Sequence, residues 1–151
     1  MANKPPFAKG IIKKTLRAIL DPDLSAKQKG AIWVFFGNKC AFCDVEMKRN
    51  SRKGHMDHLQ PGIPNHISNR VLACEICNGN EKLDRKWKEF LMEKCNHDQV
   101  TYDMRYDKIM KWVNQNGSFQ LSEQQQKALD EEVVRVNGEL EDAVKRLKAL
   151  K

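Results

Sequence analysis

Long hydrophobic runs are missing from this 151-residue chain. The longest, Ala31 to Phe36, falls far short of the roughly 20 apolar residues a membrane-spanning helix needs, so a transmembrane protein is excluded. The opening "MANKPPFAKG" also lacks the apolar segment of a secretory signal, and a cytoplasmic, intracellular location is expected. Aromatic residues make up only 7% of the chain, which limits the core to a modest size. Internal repeats, low-complexity tracts and Pro/Ser-rich linkers are missing too, and that rules out solenoids and strings of modules. Acidic residues are scarce in one part only. Residues 1–53 hold 12 Lys and Arg against 4 Asp and Glu, whereas the remaining 98 hold 15 against 16. The basic excess therefore lies entirely before residue 54. A surface so charged attracts polyanions, nucleic acid foremost, unless it is simply a solvated face.

What is present falls into three regions. Residues 1–37 read as a basic helical arm. Ile11, Ile12, Leu16, Ile19 and Leu20 recur at helical spacing between Gly10 and the break at Asp21-Pro22. Ser25, with Gln28 three residues on, has the pattern of a capping box opening a second helix that stops at Gly37. Residues 38–95 form a core region. From Lys39 to about Asn78 the texture is short segments with Gly, Pro, Asn, Cys and His, too poor in large apolar residues to organise itself. A helix is expected to begin near Asn78 and to carry Leu83, Trp87, Phe90 and Leu91 on one face.

Residues 96–151 should be helical again. One helix is capped by Thr101, turns Tyr102, Ile109, Trp112 and Val113 inward, and closes at "NQNG". Another, within 122–151, opens on a capping box of Ser122 and Gln125. Its Leu129, Val133, Val136, Leu140, Ala143, Leu147 and Leu150 alternate steps of four and three, a heptad seam weakened at Asn137-Gly138. Such a seam either pairs two chains into a homodimer or lies back on its own chain.

Cys40-Ala-Phe-Cys43 and Cys74-Glu-Ile-Cys77 are two C-x-x-C pairs with 30 residues between them. Each pair brings two thiolates to one side of a tight knuckle, and two knuckles complete the tetrahedral four-sulfur shell that zinc prefers. The competing reading is redox-active or merely buried thiols. A four-cysteine shell is closed, so its zinc would be structural, and its binding free energy would hold the poorly hydrophobic core segment folded. Cys95 and His97 stand outside this spacing and read as packing and surface residues.

Between the knuckles lies "GHMDHLQPG", then Asn69, then "LACEICNGNEK". This order resembles the HNH, or ββα-metal, endonucleases over about residues 33–92. The stretch "HMDH … VLACEICNGNEK" is especially similar to the "HLDH … LLCNLCNAAEG" pattern of endonuclease VII-type phage recombination nucleases. The resemblance implies an α+β, mostly helical fold: a small ββα-metal core braced by the four-cysteine zinc site, with N- and C-terminal helical arms. It implies a bacterial or phage-encoded enzyme that hydrolyses phosphodiester bonds of duplex or branched DNA. His58 matches the general base, Asp57 the metal-binding carboxylate, Asn69 the asparagine that pins the hairpin loop, and Asn78 the second metal ligand. Glu81, one helical turn beyond Asn78, would add a direct or outer contact. Oxygen ligands there suit Mg²⁺ or Mn²⁺. Arg70, Lys82 and Arg85 are candidates to hold substrate phosphates. His55 matches only the resolvase-like pattern, Asn80 is an alternative to Asn78, and His66 reads as a loop residue near the DNA.

The chain departs from the family in two places. "GIPNHIS", with Gly62 and Pro64, replaces the usual glycine pair, and Lys82 falls four residues after Asn78 where many HNH proteins have three. Two other functions remain open on the same residues: a non-catalytic zinc-knuckle module that binds nucleic acid or protein, and a nuclease subunit active only in a larger assembly.

Overall fold

The computed structural model describes residues 5–49, 51–61 and 65–150. Gly62 and Pro64, where the loop departs from the HNH pattern, lie outside the described residues. The chain is mostly helical, with a small two-stranded antiparallel sheet and a cluster of four cysteines. Among the described residues, no helix is long and apolar enough to cross a membrane.

Two units divide the chain, one built from residues up to Pro22 and from Gln120 onward, the other from Asp23–Phe119. In the first, α1 (Pro5–Leu20) packs along α5 (Glu123–Lys148). Helix α1 starts well before Gly10, because two prolines occupy its first turn, where a missing N–H breaks no intrahelical bond. Helix α5 opens on the expected capping box, Ser122 accepting from the Gln125 backbone while the Gln125 side chain accepts from Ser122. It runs through Asn137-Gly138 unbroken, and of its seam only Leu129 is buried. Lys9 of α1 pairs with Glu141 of α5.

The second unit holds the rest. Helix α2 (Ala26–Phe36) has the capping box of Ser25 and Gln28, ends at Gly37 in the left-handed region (φ 63°), and buries Ile32, Trp33 and Phe36. Strand β1 (Gly54–His58) pairs with β2 (Arg70–Cys74) in the register Gly54 to Cys74, Asp57 to Val71 and His58 to Arg70. Val71, Leu72 and Ala73 are fully enclosed, so β2 is the core strand and β1 the outer one. The Trp33 ring lies over the start of β1. A Cβ built on Gly54 would stand 2.4 Å from that ring, and a buried indole cannot simply swing away. Gly54→Ala should therefore cost about 1–3 kcal/mol, the range for overpacking, whereas Gly138→Ala, in open space within α5, should gain up to about 1 kcal/mol. Urea unfolding of both variants checks this, and equal midpoints would refute the Trp33 contact.

Two helix expectations need correction. The helix from Asn78 through Leu91 is instead a π-helical turn, Cys77–Lys82, followed by a break and then α3 (Trp87–Lys94). The break falls at Leu83, whose φ is +46° and whose side chain is exposed. Helix α4 (Gln99–Asn116) is capped not by Thr101 but by Asp98, whose carboxylate accepts from the Thr101 backbone N–H. A capping side chain bonds the N–H three residues on, so the cap lies three residues earlier. Ile109 and Trp112 are buried as expected.

Helix α4 positions the site. Trp112 Nε1 donates to the carbonyls of Arg70 (2.8 Å) and Ile67 (3.1 Å), holding the start of β2. Arg105 Nη1 donates to the Phe42 carbonyl at 2.7 Å, tying down the first cysteine knuckle.

Candidate metal centre and hairpin site

Cys40 and Cys43 flank a tight turn after α2, closed by hydrogen bonds from Asp44 N to Cys40 O and from Cys40 N to Val45 O, both 2.9 Å. Asp44 takes a positive φ of 62° there. Cys74 ends β2, and Cys77 opens the π-helical turn, its N–H reaching back to Cys74 Sγ at 3.5 Å. The four sulfurs all lie within 4.8 Å of one another, and Cys43 and Cys74 Sγ are 3.7 Å apart. A tetrahedron with Zn–S bonds of about 2.3 Å has edges of about 3.8 Å. The group could hold a metal ion, zinc by the chemistry of its donors.

The thiols are strongly coupled to one another. With four sulfurs this close, a proton shared from Cys40 holds Cys43 down to about 2, the same bond pushes Cys40 up to about 12, and bonds to Cys40 and Cys43 push Cys77 up as well. A divalent cation removes the conflict by letting all four ionise. Cys95 is buried elsewhere, 3.6 Å from Arg105 Nη1, and is no part of the group.

The hairpin loop is pinned by Asn69. Its Oδ1 accepts from Gln60 N at 2.9 Å and its Nδ2 donates to Gln60 O at 3.0 Å, a reciprocal pair that uses both halves of the amide. Leu59 N to Asn69 O, 2.8 Å, extends the ladder one step. His66 caps the 3₁₀ turn Ile67–Asn69, accepting from Ser68 N, and stacks on Phe119.

Asp57 and His58 end β1, and successive strand residues face opposite ways. Asp57 is buried, with its Oδ2 3.1 Å from the Lys82 ammonium. Burial pushes this carboxyl above the usual carboxylate range, against the pull of Lys82. That oxygen makes the ion pair. His58 is half-buried, Nε2 standing 3.0 Å from Asn65 Oδ1. Burial and then the Arg70 guanidinium hold its pKa below the ordinary histidine value, which favours the neutral ring.

Lys82 has a different place from the one the sequence suggests. Only 1% exposed, it turns into the protein, donates to the His58 carbonyl at 2.5 Å and faces Asp57, out of reach of a substrate phosphate. The π-helical turn explains this, because its i→i+5 bonding absorbs one extra residue and brings Lys82 inward. Glu81 points instead to Lys94 of α3, at 2.8 Å. Asn78 is half-buried and Asn80 exposed on the same turn.

Arg70 is engaged as well, donating to Met56 O (2.9 Å) and Asn65 Oδ1 (2.6 Å). Arg85 lies at the surface, paired with Glu93 at 2.5 Å. His55 lines an open cleft of about 410 Å³ together with Asp23, Lys29, Trp33, Met56 and Arg70.

Set against family models, curated proteins and solved structures, the chain matches none of them. Its chemistry therefore rests on the geometry. Among the described residues, the four cysteines are the only group of three or more His, Cys, Asp or Glu whose ligand atoms converge. Asp57 Oδ2 is a donor suited to a hard divalent ion, but the Lys82 ammonium already shares that oxygen. Asn65 is the residue that sequence reasoning missed. Its only signal was a polar side chain in the loop after His58, and polar loop residues are common.

Proposed function

We propose that the chain is a divalent-metal-dependent endonuclease of HNH type that hydrolyses DNA phosphodiester bonds, with structural zinc in the four-cysteine group. The observation that carries this reading is the paired strand end: a half-buried His58 beside a buried carboxylate, Asp57, in a hairpin pinned by the Asn69 amide and braced by the cysteines.

In this reading His58 takes the proton of the attacking water, a task suited to an imidazole that is neutral at working pH. Asp57 and Asn78 would hold Mg²⁺ or Mn²⁺, which supplies charge stabilisation at the scissile phosphate and leaving oxygen. Lys82 then positions Asp57 and the end of β1, and the phosphate contacts pass to exposed Arg85 and the basic residues before Gly54. Backbone contacts of that kind give affinity and salt sensitivity with little sequence preference.

Supercoiled plasmid incubated with the protein and Mg²⁺ or Mn²⁺ should be nicked or linearised, and His58→Ala should slow this at least about 100-fold, as expected for a lost general base. Cleavage by wild type and His58→Ala at the same rate, or by neither on duplex, branched and single-stranded DNA, would sink the nuclease. One observation favours a second reading. The Lys82 ammonium already neutralises Asp57, as suits a zinc-knuckle module that binds nucleic acid without cutting it. That module would shift DNA in a gel in a salt-dependent way while leaving it intact under every metal condition.

A further inference from the structure

Asn65 lies seven residues beyond His58, yet its side chain meets the imidazole. Its Oδ1 is 2.6 Å from Arg70 Nη2 and 3.0 Å from His58 Nε2. A guanidinium has donors only, so the amide atom facing Arg70 must be the oxygen. That oxygen is an acceptor only. The imidazole nitrogen facing it must then carry a proton, and a neutral ring has one proton to place. The amide cannot turn over, because its NH₂ would meet the Arg70 donor head on. Arg70 is itself anchored, donating to Met56 O at 2.9 Å on the strand that carries His58.

We propose that Asn65, oriented by Arg70, is a positioning residue that fixes His58 in the tautomer with its proton on Nε2 and its lone pair on Nδ1. This rests on the reading of His58 as the general base, and it names which nitrogen receives the water's proton. The pair also replaces the role given to Arg70 by its sequence position. Arg70 acts through Asn65 rather than on a substrate phosphate.

The test uses the full zinc-loaded chain with ¹⁵N-labelled histidine, at a pH where His58 is neutral. In wild type the His58 ring nitrogens should report a protonated Nε2 and an unprotonated Nδ1. In Asn65→Ala that preference should be lost, and in Asn65→Asp, which keeps an acceptor oxygen for both partners, it should be retained. Arg70→Lys keeps a donor at the same place and serves as the milder second variant, expected to retain it in part. Cleavage of plasmid should fall by about 10- to 100-fold in kcat for Asn65→Ala, the usual cost of losing a group that orients a working histidine, with KM unchanged and activity recovered in Asn65→Asp. A wild-type His58 protonated on Nδ1, or the same tautomer in wild type and Asn65→Ala, overturns the proposal. If the spectra behave as expected while wild type cuts no DNA, the positioning stands and the nuclease reading falls.

Discussion

Stripping zinc from the purified protein with a strong chelator should unfold the unit of residues 23–119. Four sulfurs converge within 4.8 Å at the junction of the first knuckle, the end of β2 and the π-helical turn. They join three segments whose buried Phe42, Leu72 and Phe90 pack on the same core, so the ion would add to that packing where the segments meet. Structural four-ligand zinc is worth about 10–16 kcal/mol in apparent binding free energy, against a net stability of about 5–15 kcal/mol for an ordinary domain. Without the ion, the thiols return to the conflict in which Cys43 is held down and Cys40 and Cys77 are pushed up. The expected result is one zinc per chain before chelation. After it, near-UV circular dichroism from Trp33, Trp87 and Trp112 should be lost, and should return when zinc is added. Cys74→Ser should behave like the chelated protein, and Cys95→Ser like wild type. Chelated protein that keeps its thermal midpoint would remove zinc from the account of folding.

Lys82→Met should destabilise the same unit by about 3–5 kcal/mol at pH 7, the cost of leaving one member of a buried ion pair alone. Lys82 is 1% exposed and Asp57 9%, so water cannot replace the lost partner. The double variant Asp57→Asn with Lys82→Met should recover most of the loss, since a neutral pair of similar size is often as stable as the ionic one. The effect has a pH signature. Burial already raises the Asp57 carboxyl above its ordinary value, and Lys82 opposes that rise. Removing Lys82 leaves burial unopposed, and the folded-state value climbs further above the unfolded value of about 3.9. A carboxyl raised in the folded state binds its proton more tightly there, so its stabilising contribution is complete below the unfolded value and is lost as pH rises through the folded one. The deficit of Lys82→Met relative to wild type should therefore be smaller near pH 6 than near pH 8, a range in which cysteine thiolates keep their zinc. Urea titrations at both pH values, in zinc and without Mg²⁺ or Mn²⁺, read it directly. If Lys82→Met matches the exposed control Lys88→Met at pH 7, the pair carries no such weight.

What could be read ahead of the structure was local. The capping boxes at Ser25 and Ser122 are set by residues three apart, and they occur where the pattern places them. The C-x-x-C spacing bends each pair of cysteines into one knuckle, and only the meeting of the two knuckles is a tertiary event. Asn69 likewise pins a neighbour across one short loop. The errors came where distant contacts overrule periodicity. Leu83 fits a helical face by spacing, but it stands exposed at positive φ, because the π-helical turn spends the extra residue before it.

By itself, then, the sequence determined the helices that carry their own caps and the two cysteine knuckles, features whose partners lie within a few residues, and it marked the strand end bearing Asp57 and His58. Only the tertiary structure decided that Lys82 faces Asp57 instead of solvent, that Glu81 turns to Lys94, and that Asn65 and Arg70 close on His58. Those side chains are charged or polar, and their direction depends on which buried group lacks a partner. That is settled by packing the whole unit, because the cost of an unpaired buried charge or donor exceeds any local preference of the chain.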